Sequence, residues 1–191
     1  MIEIAGNWHK GFAYSLHTLS SDFIGYDDYG HPQFETTYSE MGKLVHQLKY
    51  RGDKAATTKI VDLLGIPKIV ETCDLIIPAP SSNKMRKYQP VVEIALELGS
   101  RADIKVLIGV LEKKEAGKQL KDISDPDERI KELKRTIYLS NTVDISGKTV
   151  LLLDDLYRSE ATLRVSTDIL YNQGKVGRVS VLTMTKTRRN R

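Results

Sequence analysis

The sequence has one cysteine and no long apolar run, and each shortage excludes a class of protein. Cys73 has no second cysteine for an internal disulfide, and no Cys/His cluster has the spaced ligands of a structural zinc site. No apolar stretch approaches the roughly 20 residues of a membrane-spanning helix, and the first residues lack the pattern of a signal peptide. We therefore expect a soluble, cytoplasmic protein with no membrane partner.

Length and charge limit the fold and the partners. With 191 residues, 40% of them hydrophobic, the chain can bury one sizeable core. Its formal net charge of +4 favours anionic partners, which include phosphorylated metabolites, nucleic acid and acidic protein surfaces. Composition does not choose among these, because separated basic clusters can also be ordinary solvated surface.

The first part of the chain has a β pattern followed by two helical patterns. Apolar and polar residues alternate from Gly11 to about Tyr29, which predicts strands, with a turn at residues 26–30. We expect residues 1–37 to form a small β elaboration packed on a core domain of residues 38–191. Ser39 and Asp53 are predicted to cap two amphipathic helices, and the second ends at Gly65-Ile-Pro67.

Beyond residue 70, short apolar runs alternate with helical patterns around residues 91–98 and 161–171. The runs are typical of strands buried on both faces, and they cover residues 75–77, 106–110, 150–153 and 179–182. This alternation predicts an α/β fold with a doubly wound, mainly parallel sheet. Ligands of such sheets bind beyond the carboxyl ends of the strands.

One segment combines a buried strand, two carboxylates, a polar loop and a helix. Asp154 and Asp155 follow the apolar residues 150–153, and a helix is predicted after Ser159. Adjacent carboxylates can accept hydrogen bonds from vicinal hydroxyls or hold Mg²⁺, and a helix N-terminus offers backbone N–H groups to a phosphate. The alternative is structural, with Asp155 beginning a turn and Asp154 capping the helix.

This segment resembles the phosphoribosyl pyrophosphate signature of type I phosphoribosyltransferases, in which two acids precede a Thr-Thr-Gly-x-Thr loop. Lys49-Tyr-Arg-Gly-Asp53 resembles a helix-ending motif of the ComF (competence-associated) phosphoribosyltransferase-like family. The likeness extends over about residues 40 to 187, through Ile76-Ile-Pro-Ala-Pro80, Lys118-Gln119, Glu128-Arg129 and Gly147-Lys-Thr-Val150. That family commonly carries an N-terminal zinc-ribbon, and this chain lacks the cysteines for it, so we expect the front segment to fold without metal.

The resemblance implies a type I phosphoribosyltransferase-like fold and a set of site residues. Mg²⁺ is the implied cofactor, held indirectly by Asp154 and Asp155. The residues implied to bind the ribose phosphate are Asp154, Asp155, Arg158, Ser159, Glu160, Ala161 and Thr162. Those on the pyrophosphate side are Ala79, Pro80, Ser81, Ser82, Lys84 and Arg86, and a flexible flap would carry Lys113, Lys114 and Lys118.

The phosphate loop departs from the family pattern, because Arg158-Ser-Glu160 replaces Thr-Thr-Gly. The Glu160 carboxylate must point to solvent or pair with a cation such as Arg158, since it would otherwise repel a phosphate. Arg158 also stands where some relatives place a catalytic acid, so no general base is visible.

Three functional readings follow. The first is an enzyme that binds phosphoribosyl pyrophosphate or a nucleotide and transfers the phosphoribosyl group to a base. The second is a non-catalytic nucleotide sensor or nucleic-acid-handling accessory, and a homodimer is compatible with either. A third takes Asp154 and Asp155 as the acidic pair of a phospho-acceptor receiver domain, although that pair follows a first strand and this one follows a late strand.

Overall fold

The computed structural model describes residues 1–81, 89–114, 125–140 and 143–188. Its centre is a six-stranded sheet whose strands run, from edge to edge, β1 (Ile2–Glu3), β2 (Lys10–Leu16), β10 (Arg178–Lys186), β9 (Thr149–Tyr157), β5 (Leu75–Pro78) and β6 (Lys105–Val106). Every neighbouring pair is parallel except β1 with β2. The sheet is therefore mainly parallel, as predicted.

Helices cover both faces of this sheet. One face packs against α1 (Glu40–His46), α2 (Ala55–Leu64), the short α3 (Lys68–Glu71) and α4 (Pro90–Ala102), and the other against α5 (Pro126–Thr136) and α6 (Ala161–Asn172). In β9, Leu151 and Leu153 point to the first face, whereas Val150 and Leu152 point to the second. Burial on both faces explains the unbroken apolar run of β9. The predicted doubly wound α/β class is confirmed.

Most helix boundaries follow the predicted signals. The Ser39 hydroxyl accepts a hydrogen bond from the Gly42 N–H at 3.0 Å and caps α1, and α2 ends at Leu64 before Gly65. Asp53 stands one residue further from α2 than predicted. Its carboxylate still accepts the Ala55 N–H at 3.0 Å, so it supports the start of that helix.

The strand predicted at residues 106–110 is wrong in its extent. β6 covers only Lys105–Val106, and the chain then turns through Gly109, whose φ is 74°. A positive φ of this size is incompatible with a continuing strand. The apolar residues Leu107 and Val110 are nevertheless buried, which is why the run looked like a strand in the sequence.

Two of the three lysines assigned to a flexible flap do not lie in a loop of that kind. Lys113 belongs to β7 (Leu111–Lys113), which pairs antiparallel with β8 (Ile137–Leu139). Lys114 follows immediately, and its N–H donates to the Thr136 carbonyl at 2.8 Å. Lys118 lies outside the described residues. The charged segment therefore begins as a paired strand, and Lys113 and Lys114 both lie at this pairing.

The front of the chain contributes to two different sheets. β1 and β2 belong to the central sheet, whereas β3 (Thr18–Tyr26) and β4 (Pro32–Tyr38) form a separate antiparallel hairpin. The hairpin turn is closed by Asp27, whose N–H donates to the His31 carbonyl at 2.9 Å. The division of the chain at residue 37 stays a prediction. Within the described residues, no helix has the length and apolarity to cross a bilayer.

Gly99 provides a test of how closely α4 packs on the sheet edge. A Cβ added there would collide with the Val106 side chain and lie 2.8 Å from the Ile104 carbonyl oxygen. Alanine normally improves a helix interior by up to about 1 kcal/mol, but overpacking typically costs about 1–3 kcal/mol. We expect Gly99→Ala to lower the free energy of unfolding in urea. The exposed neighbour Ser100→Ala serves as the control, and an equal effect of both variants would contradict the close packing.

Candidate functional site

A cavity opens where two neighbouring strands of the central sheet end. The chain passes from β5 through α4 to β6 on one side, whereas β9 lies on the other side of β5, so the strand order reverses between β5 and β9. Such a switch point is where open α/β sheets bind ligands. The cavity has a volume of about 420 Å³. It is lined by residues at and beyond the ends of β5 and β9, by Lys49 and Tyr50, which follow α1, and by β7.

Asp154 and Asp155 both line this cavity, but they lie within the strand and not beyond it. β9 continues to Tyr157 because its pairing with β10 persists as far as Lys186. Neither carboxylate caps α6, since the residue before that helix is Glu160. The structural alternative, in which Asp154 caps the helix and Asp155 begins a turn, is therefore wrong.

Asp155 is held by a lysine that sequence-based prediction did not place in the site. The Lys49 ammonium donates to both carboxylate oxygens of Asp155, at 3.1 and 2.9 Å. Lys49 belongs to a π-helical turn, Gln47–Arg51, which follows α1 and ends at Gly52 in the left-handed conformation, with φ 70°. The motif Lys49-Tyr-Arg-Gly-Asp53 does end a helix. Its lysine was the one sequence feature that could have pointed to a cation beside the acidic pair. Single π-helical turns are frequent at functional sites.

The two carboxylates have different electrostatic environments. Burial and the neighbouring Asp155 carboxylate raise the pKa of Asp154 to about 7, although its Oδ1 accepts the Asp155 N–H at 2.8 Å. Burial by itself would lower the pKa of Lys49, but the Asp155 carboxylate outweighs it and the net shift is upward. Lys49 therefore keeps its proton beside the Asp155 carboxylate, whereas Asp154 holds its proton more tightly than an ordinary aspartic acid.

Asp155 is also fixed through its backbone. The Thr185 hydroxyl on β10 donates to the Asp155 carbonyl at 3.2 Å, and the Nδ1 of His17 lies 3.0 Å from the same hydroxyl. Burial, followed by the charge of Lys49, lowers the pKa of His17. His17 does not line the cavity, so it contacts β9 only indirectly, through the Thr185 hydroxyl.

The cavity also contains a buried cation. Lys113 on β7 lines it and is only 7% exposed. Desolvation lowers the pKa of Lys113, and Glu132 opposes this in part. Across residues 1–81, 89–114, 125–140 and 143–188, Lys113 has no ion pair. A buried ammonium without a counter-ion costs free energy, which an anionic ligand would offset.

In the loop predicted to bind phosphate, Arg158 and Thr162 line the cavity, whereas Ser159, Glu160 and Ala161 do not. The Glu160 carboxylate pairs with the Arg164 guanidinium, one helical turn later, at 2.9 Å. The alternative of an Arg158–Glu160 pair is therefore wrong. The Arg158 guanidinium is not paired with the Glu160 carboxylate. The spacing of four residues along α6 was the signal for Arg164.

The predicted pyrophosphate side is described in part. Ala79, Pro80 and Ser81 line the cavity, and the Ala79 N–H donates to the Leu153 carbonyl at 2.8 Å, which joins this turn to β9. The other three predicted residues, Ser82, Lys84 and Arg86, lie outside the described residues.

In the part of the chain that the structure describes, no group of three or more His, Cys, Asp or Glu residues is placed to hold a metal ion. Mg²⁺ commonly uses one or two carboxylates together with phosphate oxygens and water. Asp154 fits such a partial set, because among the described residues its Oδ1 accepts only a backbone N–H, whereas both oxygens of Asp155 already accept from Lys49.

The raised pKa of Asp154 predicts a pH-dependent stability. The folded protein holds this proton up to about pH 7, whereas an ordinary Asp loses it near 3.8, so ionisation in this window destabilises the fold. Asp154→Asn removes the ionisation and keeps an acceptor for the Asp155 N–H. We expect the melting temperature of Asp154→Asn relative to the parent protein to be higher at pH 8 than at pH 5. A difference that is the same at both pH values would contradict the shift.

Comparison with known proteins gives matches among solved structures. No protein-family model matches the chain, and no curated protein sequence matches it. A hypoxanthine phosphoribosyltransferase from Staphylococcus aureus is 17% identical, with a TM-score of 0.46 over 72% of this chain and 67% of that one. An adenine phosphoribosyltransferase from Thermoanaerobacter pseudethanolicus is 14% identical, with a TM-score of 0.46 over 86% and 95%. A purine phosphoribosyltransferase from Pyrococcus horikoshii is 15% identical, with a TM-score of 0.40 over 77% and 85%.

Proposed function

We propose that the cavity binds phosphoribosyl pyrophosphate or a ribose 5-phosphate nucleotide, and that the protein is a phosphoribosyltransferase or a close non-catalytic relative. The observation that carries this proposal is the position of Asp154 and Asp155 at the switch point of the sheet, in one cavity with a buried lysine. Carboxylates suit the hydroxyls of a ribose, and a cation suits its phosphates. The motif after β9, which resembles the phosphoribosyl pyrophosphate signature, supports the same ligand.

Each end of the ligand has a set of residues suited to it. The ribose hydroxyls would donate to Asp154, with Asp155 held in place by Lys49. The 5-phosphate would lie against Arg158, Thr162 and the N-terminus of α6, where the backbone N–H groups of the first turn attract anions. Glu160 does not oppose this assignment, because Arg164 holds its carboxylate.

The pyrophosphate would lie against Ser81 and Lys113, together with Ser82, Lys84 and Arg86. In phosphoribosyl transfer, the bond between the anomeric carbon and the pyrophosphate oxygen breaks while the bond to the base nitrogen forms. Positive charge develops on the ribose and negative charge on the departing group, so fixed cations at the pyrophosphate end favour this glycosyltransferase reaction. Mg²⁺, held by Asp154 and by ligand oxygens, would neutralise further negative charge.

Binding without transfer is the second candidate, and the Lys49–Asp155 pair favours it. The lysine already satisfies one of the two carboxylates, and the other, Asp154, is assigned to the ribose hydroxyls, so neither is assigned to take a proton from a base. Incubation with phosphoribosyl pyrophosphate, Mg²⁺ and a panel of purine and pyrimidine bases separates the candidates. Release of pyrophosphate with one base supports transfer, whereas binding without release supports a sensor.

The ligand assignment is tested by a double variant of the acidic pair. We expect Asp154→Asn with Asp155→Asn to weaken ribose 5-phosphate binding at least about tenfold in calorimetry with Mg²⁺, because the carboxyl assigned to the ribose hydroxyls and the carboxylate that Lys49 holds are both replaced. The control is Glu71→Gln with Asp127→Asn, which removes two exposed charges outside the cavity. If the parent protein binds neither ribose 5-phosphate nor phosphoribosyl pyrophosphate, the proposed function fails. If the acidic-pair variant binds as the parent does, the site assignment fails.

Lys113 gives a separate test of the pyrophosphate end. We expect Lys113→Met to weaken phosphoribosyl pyrophosphate binding by about tenfold or more while leaving ribose 5-phosphate affinity nearly unchanged. The variant should also raise the melting temperature of the ligand-free protein, because it removes a buried charge that forms no ion pair with any described residue. Lys114→Met, which changes the adjacent exposed lysine, is the matched control. An equal loss for both ligands would contradict this placement of Lys113.

A further inference from the structure

The cavity has an apolar part that the ribose and phosphate contacts do not use. Tyr50 and Ile108 both line it, and they are 67% and 54% exposed, respectively. Val91 and Val92, at the start of α4, also line it and are partly exposed. Apolar and aromatic side chains in a ligand cavity bury an apolar part of the ligand. A ribose and its phosphates have little apolar surface, so these side chains indicate a further group on the ligand.

Other rings hold the Tyr50 ring in place. Its centroid lies 4.9 Å from that of His46, and the His46 ring lies 5.1 Å from that of Tyr38. The Tyr38 ring meets the His17 ring edge-on at 5.5 Å. An exposed side chain loses rotamer freedom when a ligand covers it, and a side chain that is already fixed loses less. Tyr50 is therefore an aromatic surface that is ordered before a ligand arrives.

Tyr50 also lies close to the acidic pair. It directly follows Lys49, whose ammonium donates to both carboxylate oxygens of Asp155. Asp154, the neighbour of Asp155 on β9, lines the same cavity of about 420 Å³ as Tyr50 does. A group joined to the anomeric carbon of a ribose at Asp154 is therefore within reach of the Tyr50 ring. Ile108 follows the edge strand β6, across β5 from the acidic pair, so it contacts that group from a different side.

We infer that Tyr50 is the surface on which the nucleobase of a ligand stacks, so that the cavity binds a nucleoside 5′-monophosphate more tightly than ribose 5-phosphate. This inference rests on the proposed function, from which it takes the position of the ribose. Stacking of a base on an aromatic side chain strengthens binding by roughly 5- to 150-fold. The alternative is that Tyr50 only stabilises the π-helical turn through its contact with His46, and the experiments below separate the two.

Calorimetry with Mg²⁺ compares AMP with ribose 5-phosphate, which lacks the base. We expect the parent protein to bind AMP at least about tenfold more tightly, and Tyr50→Ala to reduce this ratio of affinities at least about fivefold. Tyr50→Phe keeps an aromatic ring and should restore the ratio. Tyr29→Ala is the matched control, because Tyr29 is 86% exposed in the hairpin turn and does not line the cavity.

The outcomes distinguish this inference from the proposed function. Equal affinity of the parent protein for the two ligands, or an unchanged ratio in Tyr50→Ala, overturns the inference and leaves the proposed function in place. A loss of the same size in Tyr29→Ala also overturns it. A parent protein that binds none of AMP, ribose 5-phosphate and phosphoribosyl pyrophosphate overturns both.

Fluorescence detects the stacking directly. Trp8 is the one tryptophan of the sequence and is buried, so Tyr50→Trp adds an exposed indole that keeps an aromatic surface in the cavity. A base that stacks on this indole quenches its emission. We expect saturable quenching of Tyr50→Trp by AMP and none by ribose 5-phosphate, and no quenching of Tyr29→Trp by either ligand. If calorimetry shows that Tyr50→Trp binds AMP and its emission does not change, the base does not stack at this position and the inference is overturned.

Discussion

The site depends on one ion pair, between Lys49 and Asp155. These residues are 106 positions apart, and the pair joins the end of the first helical segment to the central strand β9. A carboxylate as buried as Asp155 is costly unless it is paired, and removal of one partner from such a pair leaves the other charge uncompensated. The left-handed turn at Gly52 and the π-helical turn before it serve this contact, because they end the helix at the position from which Lys49 reaches β9.

The cavity also contains a protonatable carboxyl and a buried cation. Asp154 shares a strand with the paired Asp155 and has a raised pKa, because burial and the Asp155 carboxylate both favour its protonated form. Lys113 is buried on β7 and lacks an ion pair among the described residues. A ligand with hydroxyls at one end and phosphates at the other would satisfy both groups. An apolar ligand of the same size would leave both unsatisfied.

The hairpin poses the opposite physical problem, since it has apolar and acidic surface in excess and little to pack against. The central sheet buries its aliphatic residues between two layers of helices, whereas β3 and β4 pair only with each other. The protein thus has a cavity lined by charged groups and, separately, exposed aromatic side chains on the hairpin.

The sequence by itself determined the α/β class, because strands buried on both faces are read directly from unbroken apolar runs such as the one in β9. It also determined the cap of α1 at Ser39 and the acidic pair at the end of that apolar run, because these depend on neighbouring residues. Only the tertiary structure decided that β9 continues past Asp155, since its length is set by pairing with β10, and that residues 106–110 turn at Gly109. It alone placed Lys49 on Asp155 and Lys113 in the cavity. Contacts between segments far apart in the sequence depend on how the helices pack on the sheet. A local sequence pattern does not specify which of these segments meet.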